Sequence, residues 1–327
     1  MQLNRRQVMG LAAASSLTPL HQAFAQAGYP SKPITLVVPF APGGAVDNSG
    51  RLMAERLSRV LKVPVIVDNK AGAGGAIGSS FAAKAAPDGY TLVVTSQSTH
   101  VVNPAVNPKL PYDALKDFAP ITLIDRLANV LLVNKDLPVK TFADLVKYAQ
   151  ANPDKLSYAS AGIGSVSHLS MELMKVQAKL PMTHIAYRGA GPALVDLLSG
   201  QVQLTWNNLS SNMSNIRNGN LRALAVAAPQ RVPQLPDVPT FGELKLPDLN
   251  LTSWTGLAAP ANTPEPIVQL LYRTVRGILN EPTTQSVWTD KGMMVPEDIS
   301  PAAYRTEIGD RIQFYQRIAK ANNIVAE

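Results

Sequence analysis

The stretch Val37-Val-Pro-Phe-Ala-Pro-Gly-Gly-Ala-Val-Asp47 packs a strand, a turn and a helix start into a few residues. Val37, Val38 and Phe40 supply an apolar, β-forming run. Pro42 favours a turn, and Gly43-Gly44 let the backbone take positive φ and approach a ligand closely. A helical pattern follows from Ala45 through Met53, Leu57, Val60 and Leu61. Such a turn points bare N–H groups and the positive end of a helix at one spot, which is how proteins hold anions. Taken alone, the segment reads equally well as an ordinary β–α turn.

Working outward, apolar runs at 34–39, 63–67 and 91–95 alternate with helical patterns at 45–61 and 76–85. This β-α-β-α-β series predicts a parallel sheet with helices on both faces. A further strand is expected at 118–124, followed by the polar break Asp125-Arg126. A second series then runs from a strand at 130–133 through helices near 142–150, 165–180 and 190–198 and strands near 156–160, 184–187, 202–206 and 221–227. One weak internal echo is informative. Asn129–Pro138 and Trp254–Pro260 both read as a strand and a proline-bearing loop leading into an amphipathic helix. Each reads as the first strand after a passage between lobes. The proline-rich connector at 229–247 reads as an ordered surface crossing. The expected fold is α/β and two-lobed, each lobe a mostly parallel sheet flanked by helices. Residues 26–125 with 250–327 form one lobe and 126–249 the other. Two crossings make a hinge, with a cleft between the lobes.

The first 25 residues read as an export signal. Arg5-Arg6 precede a mildly apolar run from Val8 to Leu20, and Ala23-Phe24-Ala25 supplies an A-x-A cleavage site. The arginine pair points to the twin-arginine route, with cleavage after Ala25. Removing the segment leaves 327 − 25 = 302 residues and lowers the formal charge from +7 to +5, because it carries two arginines and no acid. That length suits two domains of ordinary size. The chain has no cysteine, which excludes disulfides, thiol chemistry and a cysteine-linked lipid anchor. Its basic charge is scattered, with no Lys/Arg block, so nucleic acid is not an expected partner.

Several strand ends carry candidate ligand groups. Lys70-Ala-Gly-Ala-Gly-Gly-Ala-Ile-Gly78 invites a dinucleotide-binding reading, but Asp68-Asn69-Lys70 separates the strand from its glycines. The next strand also ends in Ser and Gln rather than the acid that would hold a ribose. Gly74 is kept as part of a glycine-rich loop facing the cleft. In Thr95-Ser-Gln-Ser-Thr-His100, Ser96 and Thr99 lie where open α/β sheets bind ligands, or else cap their own loop. In Ala159-Ser-Ala-Gly-Ile-Gly-Ser165, Ser160 and Gly164 are candidates, and Ser165 is a candidate or simply an N-cap. His168, one turn into that helix, reads as a packed residue or a ligand group. Arg188 pairs with a carboxylate or stays in solvent, and Gly189 shapes the same turn. Asn207 and Asn208 offer amides, beside a Trp206 that is core or stacking wall. None of the sequence signatures of metallohydrolases, serine hydrolases or nucleotide-phosphate loops occurs. Catalysis, a cofactor and a metal are therefore not expected.

As an ordered set, the motifs resemble the receptors of tripartite tricarboxylate transporters, the Bug-type proteins. The resemblance rests on Tyr29–Asp47, Gly72–Gly78, Ala86-Pro-Asp-Gly-Tyr-Thr-Leu92, Pro111-Tyr-Asp113, Asp117-Phe-Ala-Pro120 and Tyr187-Arg-Gly189. It continues through Leu224-Ala-Val226, Asp237-Val-Pro-Thr240 and the Trp254–Pro260 segment. It covers nearly the whole chain beyond the signal. It implies a periplasmic-binding fold of type II-like form, monomeric, which closes on a carboxylate-bearing ligand and delivers it to transporter membrane subunits. The first β–α loop, Phe40 to Asp47 with Pro42, Gly43 and Gly44, is implied to hold the carboxylate. Asp47 is the odd element, read either as a partner for an ammonium, a water or its own backbone, or as a first-turn acid that stabilises the helix. A dicarboxylate is the expected ligand, with an aromatic acid open because of Phe40, Trp206 and Trp254. A ligand sensor on the same scaffold is the alternative.

Overall fold

β1 (Ile34–Val38) is a buried inner strand of the first sheet, as its valines require. A computed structural model describes residues 28–325. The twin arginines and the cleavage site after Ala25 lie outside the described residues. β1 pairs in parallel with β2 (Val65–Asn69) on one side and β3 (Thr91–Ser96) on the other. Further elements are β4 (Phe118–Leu127), β10 (Ser253–Pro260) and β11 (Met293–Met294), giving the order β11-β4-β10-β3-β1-β2. The strands of the second sheet are β5 (Asn129–Asn134), β6 (Ser157–Ser160), β7 (Thr183–Ala186), β8 (Leu204–Asn208) and β9 (Leu221–Ala227). Their order is β7-β6-β8-β5-β9.

The fold is the expected two-lobed α/β architecture, with one refinement in the sheets. Only two pairings in each are parallel. The antiparallel pairings trace mainly to one inserted strand per lobe, β10 in the first and β5 in the second. Each is the strand that enters its lobe from the hinge. β4 runs towards the hinge and β10 runs away from it, Ser253 lying opposite Leu127 and Pro260 opposite Phe118. A strand arriving from the hinge must oppose strands that run towards it. The remaining strands, apart from the two-residue β11, run in one direction, so their C-terminal ends face the cleft.

Helices cover both faces of each sheet. On one face of the first sheet, α1 (Ala45–Leu61) and the helices Glu265–Asn280 and Pro282–Asp290 bury Met53, Leu57, Leu271, Val275 and Trp288 against β1, β3 and β4. On the other, the long helix Pro301–Ala321 contributes Tyr304, Ile308 and Tyr315 to a core that continues into the second lobe. α1 ends where Lys62 takes a left-handed conformation and donates its N–H to the Ser58 carbonyl. The chain leaves the first sheet through Ala128 and returns between Ala227 and Ser253. The proline-rich return is pinned to β9 by Val226 N–H to the Pro239 carbonyl and Phe241 N–H to the Val226 carbonyl.

β2 begins two residues later than the sequence pattern indicates. Asp68 and Asn69 therefore belong to the strand rather than to a polar turn. The reason is tertiary, because the Asn69 amide donates to the Phe40 carbonyl and to Asp47.

Candidate functional site

The C-terminal ends of β1 and β3 in one lobe and of β6, β7 and β8 in the other meet around a single cavity. Its wall includes Phe40, Gly44, Ala45 and Val46 from the β1 loop and Ser96, Gln97 and Ser98 from the end of β3. The second lobe supplies Ala161, Val166, Ser167, Ala190 and Ala193, with Thr205 to Asn208 from β8. Hinge residues Leu127, Asn129 and Ser253 to Thr255 complete it. The cavity offers about 60 Å³ to the centres of water-sized atoms, several times the roughly 10–15 Å³ that one water needs. None of the lining residues carries a charged side chain.

Helix N-termini take the place of cations. α1 starts at Ala45, and the Ala190–Ser199 helix starts across the cleft from it. Their N-caps, Gly44 and Gly189, lack a capping side chain, so neither supplies an oxygen to the first-turn N–H groups. The Val166–Ala178 helix also starts on the cavity wall, beside Ser98, whose hydroxyl accepts the Val166 N–H at 3.1 Å. Converging N–H groups and dipoles favour an anion without a formal counter-charge.

The lobes touch through small residues. The Ala41 N–H donates to the Arg188 carbonyl at 3.2 Å. A Cβ on Gly191 would collide with the Pro42 carbonyl oxygen, and one on Gly74 with that of Ile163. The close approach of the two lobes thus requires glycine at both positions.

Of the residues singled out from sequence, Phe40, Gly44, Ser96, Asn207 and Asn208 line the cavity. Pro42, Gly43, Gly74 and Gly189 sit in the interlobe contact. Gly164 is also there, packed beside Asn103. Thr99 stands behind Ser96, its hydroxyl sharing hydrogen bonds with Ser96 and His100 Nδ1. Ser165 caps its helix by accepting the His168 N–H. Ser160 points away from the cavity wall, with its Oγ 2.7 Å from His184 Nε2. His168 stacks on His184 at 4.5 Å. Burial, reinforced by His184, pulls its pKa down to about 4. The Arg188 side chain is exposed, and this residue contributes through its carbonyl.

Asp47 has its oxygens engaged. Oδ2 accepts from the Gly43 N–H and from Arg51 Nε, each at 3.0 Å, and Oδ1 accepts from Asn69 at 2.8 Å. Two of the readings open in the sequence hold together, since Asp47 accepts from its own backbone at Gly43 and lies in the first turn of α1. Gly43, at φ +92°, is held in a conformation that presents Gly44 and Ala45 to the cavity.

Sequence reasoning passed over Gln97, Ser98, Asn129, Ser167, Thr205, Ser253 and Thr255 as site residues. Asn129, Asn208 and Ser253 form one hydrogen-bonded group across the hinge. The signal for two of them was available, since they begin the paired strands that follow each crossing.

Residues 50–324 match the family model described as the tripartite tricarboxylate transporter family receptor. The chain belongs to this receptor family. It is 36% identical to the protein BugT of Bordetella pertussis, over 89% of this chain and 90% of that protein. The structure of MatC from Rhodopseudomonas palustris with bound malate is 36% identical, covers 89% of this chain and 99% of its own, and superposes with a TM-score of 0.85. A second R. palustris protein, solved with adipate, is also 36% identical. It covers 91% of this chain and 99% of its own, with a TM-score of 0.87. This receptor is thus built on the scaffold of small-solute-binding proteins. Among its described residues, no helix is long and apolar enough to cross a membrane.

Proposed function

We propose that the protein is an exported periplasmic receptor that captures a small dicarboxylate between its lobes and delivers it to a tripartite tricarboxylate-type membrane transporter. The supporting observation is a cavity with no charged side chain on its wall, into which helix N-termini from both lobes point. One carboxylate sits between the starts of α1 and the Ala190–Ser199 helix. The second sits between Ser98 and the start of the Val166–Ala178 helix, so each end of the ligand bridges both lobes. The lobes correspond to residues 26–125 with 250–327 and to residues 126–249. The malate and adipate of the two related structures are ligands of this class. The protein binds without turnover, acts as a monomer and is exported by the twin-arginine route.

The test is a thermal-shift screen of the mature chain against aliphatic and aromatic mono-, di- and tricarboxylates and acidic amino acids. A ligand that binds only the native state must raise the melting midpoint by mass action. Dicarboxylates are expected to give the largest shifts. A flat response to every carboxylate would sink the proposal, and ligand turnover in the same sample would replace it with an enzyme.

A further inference from the structure

Ser160 and His168 flank a strand-to-helix turn, yet neither lines the cavity. Both side chains meet His184 instead. Ser160 Oγ lies 2.7 Å from His184 Nε2 and accepts the Gly162 N–H at 3.1 Å. His168 Nδ1 accepts the Gly164 N–H at 3.4 Å, and its ring stacks on His184 at 4.5 Å. His184 also stacks on Tyr158 at 4.8 Å. Two N–H groups of the turn, at Gly162 and Gly164, are thus held by side chains of one cluster. The same turn meets the first lobe. A Cβ on Gly162 would crowd the Gly74 nitrogen, and one on Gly164 the Asn103 side chain. Asn103 in turn donates to the Ala73 carbonyl at 3.3 Å. Gly162 and Gly164 both take positive φ, +119° and +78°. Glycine has little intrinsic preference among such conformations, so the shape of the turn depends on what holds it.

The Gly164 bond needs a bare Nδ1 and therefore a neutral ring, because both nitrogens of a protonated imidazole are donors. Two charged rings stacked at 4.5 Å would also repel each other. We infer that His168 and His184 are positioning residues, a neutral brace that holds the turn 160–164 in the shape that meets the first lobe, and that protonating the brace loosens closure of the lobes. The charged groups facing the pair are Glu172 and Lys175, both on the His168 helix and joined to each other at 2.9 Å. Tyr158 on β6 donates its hydroxyl to Glu172. Residues 322–325 of the first lobe carry no charge and line the same open crevice as both rings, from which protons arrive. Burial lowers the pKa of both histidines, that of His168 to about 4, and Glu172 pulls against it. In an opened turn the rings would titrate nearer their ordinary value of 6.5. The closed form then binds fewer protons, so closure is fully supported above pH 6.5 and loses support as pH falls towards 4.

Calorimetric titration of the mature protein with malate and with adipate at pH 7.5 and pH 5 tests this, comparing the parent with His168→Asn/His184→Gln. The amides keep a hydrogen-bonding atom where each ring has one and cannot titrate; His168→Asn alone serves where the double variant does not fold. Asp125 and the ligand's own carboxyl groups titrate alike in both proteins, so the ratio of their affinities isolates the rings. That ratio is expected to be near one at pH 7.5, with the variant on the order of tenfold tighter at pH 5. A ratio that does not change with pH overturns the inference and leaves the dicarboxylate reading intact. His168→Leu, which cannot accept the Gly164 N–H, is expected to bind more weakly at both pH values. Parent-like affinity at pH 7.5 in that variant overturns the brace. The inference rests on a ligand held between the lobes. If neither acid binds, the dicarboxylate reading falls and small-angle scattering without ligand decides the brace. The parent's lobes are then expected to part between pH 7.5 and pH 4.5 and the variant's to stay together; parent profiles that coincide at the two pH values overturn it.

Discussion

On one part of the cavity wall stand the N–H groups that open α1 and the Ala190–Ser199 helix, flanked by Gly44 and Gly189. Elsewhere on it stand polar and aromatic side chains: Gln97, Ser98, Trp206 and Trp254. The backbone part depends on how closely two chains approach, and any side chain in the way spoils it. The other part depends on which functional group each residue carries.

The largest expected effect attacks the backbone part. Gly191→Val puts a side chain against the Pro42 carbonyl and holds the lobes apart. Overpacking of this kind costs about 1–3 kcal/mol, so titration should show affinity falling up to roughly a hundredfold. The melting midpoint without ligand should scarcely move. Unchanged affinity would mean that the two turns need not meet.

Next is Asp47→Ala, which frees Gly43, Arg51 and Asn69 at once. Hydrogen bonds to a charged group are worth about 1.5–3 kcal/mol, and dicarboxylate affinity should fall roughly tenfold or more. An equal loss for every carboxylate tested would assign Asp47 to the shared seat. A loss confined to one ligand would place it in discrimination instead.

Asp125 tests the floor of the cavity. It is fully buried on β4 and accepts from the N–H and hydroxyl of Thr255, a cavity residue, through Oδ1, while Oδ2 is unpartnered. Burial raises its pKa from 3.8 to about 6, against the pull of the Thr255 hydrogen bonds. A carboxyl raised in the folded state favours folding fully below its unfolded pKa and loses that contribution as pH rises through the folded one. Asp125→Asn should therefore melt above the parent at pH 7.5, with a stability advantage on the order of 2 kcal/mol. The gap should close between pH 6 and pH 4. A constant gap across that range would show that the Asp125 carboxyl does not titrate there.

The smallest effect is Ser165→Ala. Removing this N-cap should cost about 1 kcal/mol of stability and leave affinity within roughly twofold, because Ser165 faces its own helix rather than the cavity.

The two parts also differ in how far the sequence reveals them. Gly43-Gly44 after a valine run and before a helical pattern is a local signal, because strand, turn and helix start are all encoded within a few residues. The paired hinge strands were legible for the same reason. Gln97, Trp206 and Trp254 carry no local signal. A tryptophan in an apolar strand reads as core, and Trp206 is indeed packed on Phe241. Only the three-dimensional arrangement shows that its N–H has no partner. Ser160 and His168 illustrate the opposite case. Both lie at strand-to-helix junctions of the right kind, yet their side chains turn towards His184. Which side of a strand end faces the cleft is set by the neighbouring strands, not by the junction itself.

The fastening of Asp47 has a kinetic consequence. Its bonds to Gly43, Arg51 and Asn69, with the further bond from Asn69 to the Phe40 carbonyl, all lie within the first lobe. That half of the seat is complete without any contribution from the other lobe. The turn at 188–191 is instead braced in part by the first lobe, through Ala41 and Pro42. In the receptor we propose, arrival and departure of the ligand are governed by different halves of the molecule. On that proposal the association rate is set by encounter with a finished surface on the first lobe, and residence time by how long the second lobe stays shut.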